Sequence, residues 1–423
     1  MKKFYLIATL AMSALLCGAL SACGGDEPDN PDEPDTPPVV NPDKPTPDPE
    51  NTVTVNLLNN GDDAKISLGE GIRVYIDPAN NLCGYDGEQL LSVGTVAGLG
   101  NITGIPEGEW KSAAAVVPGT GYVVRSASTP YKFARLFVVG FMQSTAGGIM
   151  GATVKYQCPF VPANLFGGGT GTPTDPYIVK TGKHLDNVRY APGACFRQTA
   201  DIDLSSFNDN SSSGWVPIQY FTGQYDGGNH KITNLFVNRR TGGLFQDINS
   251  ANAMVKGIRL QLHRNGIKAE VSGGICDALY QGTISECSVE GYIEGYDRAG
   301  GIAGYSGNSA KIERCFFEGT IKVNYWKDFM GAITGGDADV TDSYAIVTFT
   351  GDANKTAFGY GQNRNCYIKT DTENVELGKS ESCFIWTTEA DADAFRQSTY
   401  TGWNFTTVWQ INEGRSMPTL RCF

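Results

Sequence analysis

The residues best suited to contact a ligand cluster in the stretches that precede three glycine-rich marks of a repeat. These stretches hold charged and aromatic side chains together: Arg239 and Arg240, then Tyr296, Asp297 and Arg298, then Tyr325, Trp326 and Lys327. Aromatic rings can stack on a ligand while the charged groups beside them form hydrogen bonds with it. If a repeat places equivalent stretches side by side, these residues line one ligand-binding ridge. Ordinary solvated loops have a similar composition, and that alternative stays open.

The residues of the common hydrolytic motifs do not occur in the required spacing. The histidines are His184, His230 and His263, so no His-Glu-x-x-His zinc motif is present. The chain also has no Gly-x-Ser-x-Gly elbow and no phosphate-binding loop. We therefore expect no catalytic residue, no metal ion and no cofactor, and the sequence predicts that the protein is not an enzyme.

One enzymatic alternative stays open, a polysaccharide lyase or hydrolase, which would need clustered carboxylates beside a basic residue. The candidate carboxylates are Asp201, Asp203 and Asp226, with Arg298 or Lys327 as the nearby basic residue. Asp201 and Asp203 alternate with apolar residues, and Asp226 opens a glycine turn. Those contexts favour a structural role, in which the carboxylates cap the corners of the fold.

Cysteine is frequent, but its spacing indicates neither zinc nor a complete set of disulfides. Beyond Cys23 the chain has nine cysteines: Cys83, Cys158, Cys195, Cys276, Cys287, Cys315, Cys366, Cys383 and Cys422. An odd number excludes complete internal pairing, and no Cys-x-x-Cys is present. We expect them to be small apolar core residues.

Two markers recur with one period in the second half of the chain. The first is a Gly-Gly or Gly-Ala pair followed by an apolar residue, at Gly242, Gly273, Gly300 and Gly331. The second marker is an apolar residue at Val255, Ile284, Ile312 and Val340. It is followed three positions later by Ile258, Cys287, Cys315 and Ser343, respectively. The steps are 31, 27 and 31 residues for the first marker and 29, 28 and 28 for the second, which is the length of a few short strands and their turns.

A coil of this length cannot bury its apolar side alone, but stacked coils pair their strands in parallel and share a core. We therefore predict a right-handed parallel β-solenoid. In the third repeat we expect strands at 301–305, 311–318 and 320–325, with a turn at 306–308 and a corner at Gly319. The register also predicts that Cys287 and Cys315 lie close together, face inward and stay reduced.

The repeats resemble the GLUG motif of bacterial cell-surface proteins. The flanks are similar too: Ala200–Leu204, Trp215–Ile218 and Phe221–Ile232 resemble its entry segment, and Trp403–Trp409 with Met417–Leu420 resembles its end. Gln246 and Cys276 stand where glycine is typical, and the coil near Gly359 is degenerate. The resemblance covers about 167–423 and implies a surface protein. Some members carry an immunoglobulin-cleaving metallopeptidase, but its zinc motif is missing here.

The residues before the repeats predict a different kind of β structure. Alternating stretches at 52–55, 72–76 and 121–125 read as strands, and 134–141 and 151–156 form a pair joined by a glycine-rich turn. We assign 51–162 to a small antiparallel β-sandwich or barrel, and 163–423 to the GLUG-type solenoid with a C-terminal cap. A short helix is expected at 183–190.

The N-terminus has the features of an exported lipoprotein. Lys2 and Lys3 precede an apolar run, and Leu20-Ser21-Ala22-Cys23 resembles the bacterial lipobox, which implies cleavage after residue 22 and lipid such as palmitate on Cys23. Residues 1–22 are thus the predicted signal peptide. Gly24-Gly25-Asp26-Glu27 resembles a surface-export signal, so we expect an outer membrane lipoprotein that faces the cell exterior.

Residues 23–50 form a lipidated, acidic, proline-rich linker. Residues 26–50 contain nine acidic residues, nine prolines and one lysine, so they account for −8 of the formal charge of −12. Such a stretch favours an extended spacer. The body from 51 to 423 carries −6 and has no basic stripe, which argues against nucleic acid as a partner.

Taken together, these features favour a surface-anchored, non-enzymatic lipoprotein that adheres to or binds an extracellular glycan or protein. Two other classes stay open: a structural or assembly component of the cell surface, and a carbohydrate-active enzyme built on the solenoid. The sequence identifies neither the ligand nor the function of the N-terminal domain.

Overall fold

A computed structural model of the protein describes residues 46–128, 131–208, 213–323, 329–386 and 392–421. The predicted signal peptide, Cys23 and the linker up to residue 45 lie outside the described residues. So do Tyr325, Trp326 and Lys327 of the predicted ridge, and Cys422.

The N-terminal part is an antiparallel β-sandwich, as predicted. In the described residues one sheet has five strands, in the order Val53–Leu58, Ile149–Gln157, Phe133–Gln143, Thr120–Arg125 and Gln89–Thr95. The other has four, in the order Ile66–Gly69, Ile72–Ile76, Asn81–Gly84 and Ala113–Ala115. Short 3₁₀ helices span Gly61–Ala64 and Leu99–Asn101.

Alternation of apolar and polar residues explains how the two sheets pack. Ile72, Val74 and Ile76 are buried while Arg73 and Tyr75 between them are half-buried. Their buried side chains meet those of Leu136, Val138 and Val154 from the other sheet in one core. Each sheet therefore contributes one apolar face, as expected for a sandwich.

The second part is a parallel β-solenoid, again as predicted. Within the described residues its first sheet has nine parallel strands: Tyr177–Val179, Cys195–Gln198, Gln224–Asp226, Phe245–Lys256, Cys276–Ser285, Ala303–Glu313, Asp339–Thr341, Gln362–Arg364 and Lys379–Glu381. The second sheet runs through Ile202–Asp203, Lys231–Asn238, Arg259–Gly273, Ser288–Gly300, Phe316–Val323, Tyr344–Thr350, Tyr367–Lys369 and Phe384–Trp386. Phe329–Gly331, Asn354–Thr356 and Val375–Glu376 pair beside it.

The apolar marker lies in register, one residue per coil, and so do the last three of the four glycine marks. Val255 pairs with Ile284, Ile284 with Ile312 and Ile312 with Val340. The glycine marks do the same, because Gly273 pairs with Gly300 and Gly300 with Gly331. The period therefore measures one coil, and the ladder continues into two polar residues, Asn363 and Ser380, that the sequence did not reveal.

The predicted cysteine neighbours are confirmed. Cys287 and Cys315 precede Ser288 and Phe316, which pair in register, and the Phe316 N–H donates to the Cys287 carbonyl at 2.9 Å. Both thiols are fully buried and reduced. Burial raises the pKa of Cys287 well above its ordinary value, which keeps the thiol protonated.

The corner beside these thiols differs from the prediction. In the third repeat, the strand expected at 311–318 is interrupted at Arg314, which has a left-handed φ of 53°. The expected turn at 306–308 instead lies inside the strand Ala303–Glu313, and Gly319 lies inside Phe316–Val323. A side chain on Gly319 would collide with the carbonyl of Gly291 in the preceding coil, so this glycine is required by close packing of coils.

The same corner recurs in successive coils. Glu286, Arg314, Asp342, Asn365 and Ser382 all have φ near 50°. The next residue in each coil donates a hydrogen bond to the carbonyl two positions back: Cys287 to Ser285, Cys315 to Glu313, Ser343 to Thr341, Cys366 to Arg364 and Cys383 to Glu381. The cysteines are thus corner residues whose thiols satisfy a backbone carbonyl, as well as core residues.

The register also corrects one assignment within the GLUG-like motif. Phe245 pairs with Cys276, so the residue equivalent to Gln246 is Asp277 and not Cys276. Cys276 pairs with Ala303, which makes Gly304 the next equivalent of Asp277. The coil near Gly273 therefore carries a carboxylate where a typical repeat has glycine.

Helices occupy the ends of the solenoid. The expected helix at 183–190 is an α-helix at Gly182–Asn187 followed by a 3₁₀ turn at Val188–Tyr190. A 3₁₀ turn at Ser205–Phe207 follows, and near the C-terminus there are two more, Ala392–Phe395 and Gln397–Thr399, with a hairpin of Trp409–Gln410 and Thr419–Leu420. Aromatic residues of this C-terminal cap, including Tyr400, Trp403 and Trp409, pack on Tyr344 and Tyr367 of the solenoid.

Candidate functional site

The first two arginines of the predicted ridge are engaged within the fold. The Arg239 guanidinium donates to the carbonyls of Trp215 at 3.0 Å and Gly214 at 2.9 Å, so it ties one coil to the preceding loop. Arg240 is exposed and pairs with Glu270 at 2.9 Å. Arg239 therefore has a structural role, because two of its guanidinium nitrogens donate to backbone carbonyls.

The remaining described members of the ridge lie together at one end of the strand Ser288–Gly300. Tyr296 and Asp297 are exposed, and Arg298 is half-buried. The register shifts here, so that Val271 pairs with Arg298 and Arg298 with Phe329, while Tyr296 and Asp297 form a bulge. This register determines which side chains lie beside Arg298, and they differ from the ridge residues that the sequence predicted there.

Arg298 lies between two aromatic rings. Its guanidinium carbon is 5.3 Å from the centre of the Tyr305 ring and 5.1 Å from that of Phe329. These distances are typical of cation–π contacts. These two ring contacts restrain the position of the guanidinium.

Two further tyrosines extend the contact on either side. The rings of Tyr280 and Tyr305 are 5.7 Å apart, and those of Phe329 and Tyr360 are 5.0 Å apart and nearly perpendicular. Tyr280 is 47% exposed, whereas the other rings are half-buried. We call Tyr280, Tyr305, Arg298, Phe329 and Tyr360 the aromatic row.

The environment of Tyr360 keeps its hydroxyl protonated. Burial, and then the nearby charge of Glu376, raises the pKa of Tyr360 to about 12. Arg298 opposes that shift. Tyr360 is therefore a neutral phenol at physiological pH, able to donate a hydrogen bond.

Sequence reasoning identified Arg298 but missed the four rings around it. The sequence held a partial signal for two of them, since Tyr280 and Tyr305 lie on the strands that begin directly after the glycine marks at Gly273 and Gly300. The lateral pairing of Arg298 with Phe329 depends on the bulge at Tyr296 and Asp297, which no periodicity reveals.

The carboxylates proposed for an enzymatic site are corner caps. Asp201 accepts hydrogen bonds from the Lys231 N–H at 2.9 Å and contacts His230 at 3.3 Å, and the backbone bond lowers the pKa of Asp201. Asp203 accepts from Asn234 and from the Ser205 N–H, which lowers its pKa. Asp226 accepts from the Gly228 N–H at 3.0 Å. These contacts agree with the structural role of the three carboxylates that the sequence favoured over a catalytic one.

A second acidic pair lies on neighbouring coils close to the aromatic row. Asp277 is 7% exposed and its Oδ1 atom has no hydrogen-bond partner. Asp247 pairs in register with Ala278, and its Oδ1 accepts from the Tyr220 N–H at 3.1 Å. Ala278 in turn pairs with Tyr305 of the row.

Two kinds of feature are absent from the part of the chain that the structure describes. Among the described residues, no group of three or more His, Cys, Asp and Glu side chains could hold a metal ion. No helix in the same residues is long and apolar enough to cross a membrane.

Comparison with known sequences gives partial matches. No family model matches the chain. A protein of Evansella cellulosilytica named "Putative Gly-rich membrane protein" is 36% identical over 140 residues, which is 30% of this chain and 16% of that protein. Halomucin of Haloquadratum walsbyi is 28% identical over 195 residues, 36% of this chain and 2% of halomucin. The chain thus spans only a small part of the length of these relatives.

Solved structures with a related fold carry the name of a protease. The crystal structure of a "putative immunoglobulin A1 protease" from Bacteroides ovatus matches 61% of this chain and 96% of its own, with a TM-score of 0.41 and 17% identity. A structure named "IgA1 Protease" matches 71% of this chain and 28% of its own, with a TM-score of 0.38 and 12% identity.

These names overturn one expectation from the sequence. The prediction that the protein is not an enzyme is wrong as a categorical statement, because both of these solved structures are named as proteases. At this level of similarity the match transfers no particular activity to this chain. The enzyme class is therefore open, and it must be judged from the chain's own residues.

Proposed function

We propose that the protein is a cell-surface lipoprotein of the GLUG-repeat kind that binds an extracellular glycan through the aromatic row. The observation that carries the proposal is the position of Arg298 between Tyr305 and Phe329, extended by Tyr280 and Tyr360. A half-exposed cation fixed between rings is a preorganised contact surface.

The chemistry of the row suits a sugar better than a purely apolar ligand. Aromatic faces pack against the C–H faces of sugar rings, and the tyrosine hydroxyls and guanidinium N–H groups can bond their hydroxyl or carboxylate oxygens. A protein ligand offering a similar mixture is the other outcome of the binding test.

The repeat favours an elongated ligand. Tyr280 and Tyr305 belong to successive coils, and their ring centres are 5.7 Å apart. Phe329 and Tyr360 continue the row into the following coils. A polymer lying along the solenoid axis would contact several of these rings at once, which favours a chain of sugars over a single one.

The proposed location at the cell surface is supported by the N-terminal sequence. Lys2, Lys3 and the lipobox-like end at Cys23 indicate export and lipidation, and two or three acyl chains are enough for stable anchoring. The acidic spacer would then hold the folded part away from the membrane. One of the relatives is itself named as a membrane protein. Adhesion through the row is the function we favour over a purely structural role.

A glycan array with the purified full chain tests the proposal. We expect at least one class of oligosaccharide to bind, and Tyr305→Ala or Arg298→Ala to weaken that binding about tenfold or more with a nearly unchanged melting temperature. Phe384→Ala is the matched control, because Phe384 is an exposed ring that packs on Tyr367, outside the row. Loss of binding in the control as well, or equal binding by all variants, contradicts the proposal.

A further inference from the structure

Arg298 uses its donors differently from the other half-buried arginines that the structure describes. Each of the others binds an acceptor of the protein through its guanidinium. These pairs are Arg73 with Asp86, Arg125 with Gln89, Arg135 with Ile102, Arg189 with Asp186, Arg239 with Trp215, Arg259 with Leu420, Arg314 with Glu286, and Arg421 with Trp409. Arg298 has no hydrogen bond or ion pair with a described residue, and its contacts are with two aromatic rings. The fold therefore leaves its N–H groups for water or a ligand.

The guanidinium nitrogens of Arg298 are accessible to solvent. The buried side-chain nitrogen and oxygen atoms that lack a partner in the described chain belong to other residues, namely Asn187, Asn208, Asp277, Asn363 and Trp409. Since the nitrogens of Arg298 also lack a partner but are not among these atoms, they are not buried. Arg298 thus presents charged donors to solvent beside the rings of Tyr305 and Phe329.

The tyrosine hydroxyls of the aromatic row are unpaired in the same way. Buried tyrosines elsewhere in the chain use their hydroxyls inside the fold, as Tyr225 does with Gln198 and Tyr400 with the carbonyl of Ala394. The hydroxyls of the row tyrosines bond no described residue, and their oxygens are not among the buried atoms without a partner; these tyrosines are Tyr280, Tyr305 and Tyr360. The row therefore combines a cation with accessible hydroxyls, and it suits a ligand rich in hydrogen-bond acceptors.

The carboxylates of the protein do not neutralise Arg298. No carboxylate oxygen of a described residue lies within 4.0 Å of its guanidinium nitrogens, although Asp297 is its neighbour in the chain and is exposed. Burial raises the pKa of Tyr360, and the charges of Glu376 and Asp337 raise it further, while that of Arg298 lowers it. The two carboxylates would repel an anion at the Tyr360 end of the row, so an anionic group is expected beside Arg298 instead.

An anionic oxygen is the acceptor that matches an unpaired guanidinium best. Hydrogen bonds between ionised partners are about twice as strong as those between neutral ones. A carboxylate can also accept two parallel bonds from the planar fork of N–H groups, which a single sugar hydroxyl cannot do. In a carboxylated sugar the acid group is attached to the ring, so one residue of a glycan can contact Arg298 and pack on the neighbouring ring of Tyr305.

We propose that Arg298 binds the carboxylate of an acidic sugar, so that the glycan held on the aromatic row contains uronic or sialic acid. This inference rests on the proposed function, in which the row binds a glycan. The rings of Tyr305 and Phe329 contact the sugar that carries the carboxylate, and the hydroxyl of Tyr280 bonds oxygens of the adjoining sugar. A polymer with repeated acid groups offers Arg298 the same contact in several registers.

The test titrates the full chain with pairs of glycans that differ only in their carboxyl groups. The acidic members are homogalacturonan, alginate, hyaluronan, chondroitin sulfate and sialylated mucin glycans, and in each partner the carboxyls are chemically reduced to alcohols. We expect at least one acidic glycan to bind about tenfold tighter than its reduced partner, as a charge-assisted bond provides. The first three probes contain uronic acid without sulfate, so binding of these or of the sialylated glycans distinguishes the two sources of the carboxylate.

Substitution of the arginine should remove this preference. In Arg298→Gln we expect the affinity for the acidic glycan to fall about tenfold and that for the reduced partner to change less than about threefold. Arg415→Gln is the matched control, because Arg415 is an exposed arginine of the C-terminal cap, outside the row, and its loss changes the net charge equally. The control should retain the preference. Comparison of the two glycans on the wild type needs no variant, so it tests the inference even if Arg298→Gln fails to fold.

The other outcomes separate this inference from the proposed function. Equal binding of the acidic and the reduced glycan, both weakened by Tyr305→Ala, overturns the inference and leaves the proposed function intact. A preference that survives in Arg298→Gln overturns the assignment of the carboxylate to Arg298, and chondroitin sulfate that still binds after carboxyl reduction overturns the carboxylate in favour of sulfate. If none of these glycans and none on the array binds, the proposed function fails and the inference fails with it.

Discussion

At the scale of single residues, the corner cysteines combine two functions that their spacing did not distinguish. Cys287 and Cys315 were expected as inward-facing neighbours, and they are. Their hydrogen bonds to the carbonyls of Ser285 and Glu313 were not foreseen, because they depend on the left-handed residue before each thiol. The Ser343 hydroxyl donates the equivalent hydrogen bond to the Thr341 carbonyl. This explains why a polar residue can occupy this position of the repeat.

The corner thiols should differ in reactivity. A hydrogen bond from the Cys366 thiol lowers the pKa of Cys383 to about 7, and Cys383 is only partly buried. Burial raises the pKa of Cys287 and Cys366. We predict that iodoacetamide modifies Cys383 at least tenfold faster than these two, with a rate that rises through pH 7. Peptide mass spectrometry after timed alkylation measures this, and equal rates would contradict the described burial.

Asp277 should make the protein less stable as the pH rises. Its pKa of about 8 in the folded chain is above the ordinary value of 3.8, so between these values the folded state holds a proton that the unfolded state has released. The contribution of Asp277 to stability is therefore complete below about pH 4 and is lost progressively as the pH rises toward 8. One pKa unit corresponds to about 1.4 kcal/mol.

Asp277→Asn should raise the free energy of unfolding at pH 8 by more than about 1 kcal/mol and flatten its pH dependence between pH 4 and 8. Urea unfolding at several pH values measures both. Glu290→Gln is the matched control. A variant that is less stable than the parent at pH 8 would show that the charge of Asp277 is compensated in the fold.

At the scale of elements, periodicity predicted the coil but could not predict where it shortens. The ladder from Val255 to Val340 follows from regular apolar spacing, whereas Asn363 and Ser380 are polar and come after shorter steps. The first-sheet strands shrink from ten residues at Cys276–Ser285 to three at Gln362–Arg364. A single period in the sequence therefore does not reveal the last coils.

The predicted ridge illustrates the same limit at the proposed ligand-binding surface. Arg298 was identified from its composition, but Tyr305 and Phe329 contact it because of strand pairing across a bulge. Asp277 was missed because the repeat was aligned one residue out of register at Cys276. Exact lateral register is a property of the stacked coils and cannot be obtained from one coil alone.

Gly319 tests how closely the coils are stacked. Its φ of 156° and the carbonyl of Gly291 beside it leave no space for a methyl group. We expect Gly319→Ala to lower the free energy of unfolding by about 2 kcal/mol or more, as steric strain in a packed core does. Gly140→Ala is the control, because a Cβ atom there meets no other atom within 4 Å. Equal effects of the two substitutions would contradict the described register.

At the scale of the whole molecule, the sandwich and the solenoid share contacts. Tyr190, next to the solenoid helix, packs edge-on against Phe133 of the sandwich with ring centres 5.3 Å apart, and it lies near Arg125. The predicted boundary between 162 and 163 lies between the last sandwich strand and the first solenoid strand. It stays a prediction, as does the division of the N-terminal residues into signal peptide and linker.

The proposed anchor can be tested independently of the ligand. Cys23→Ala removes the thiol that would carry the lipid, so we expect the protein to leave the membrane fraction or to accumulate as an uncleaved precursor. Fractionation followed by measurement of the N-terminal residue distinguishes the two. Ser21→Ala is a control that retains the cysteine. A processed Cys23→Ala protein that stays with membranes would contradict lipid anchoring.

The central claim is that the aromatic row binds the ligand, and the dissociation constants of row variants test it most directly. Titration of the glycan found on the array into the wild type, Arg298→Ala, Tyr305→Ala and the double variant should show at least tenfold weaker binding for each single variant. The double variant should lose less than the product of the two, because Arg298 and Tyr305 position each other. Dissociation constants within twofold of the wild type for all three variants would contradict the claim.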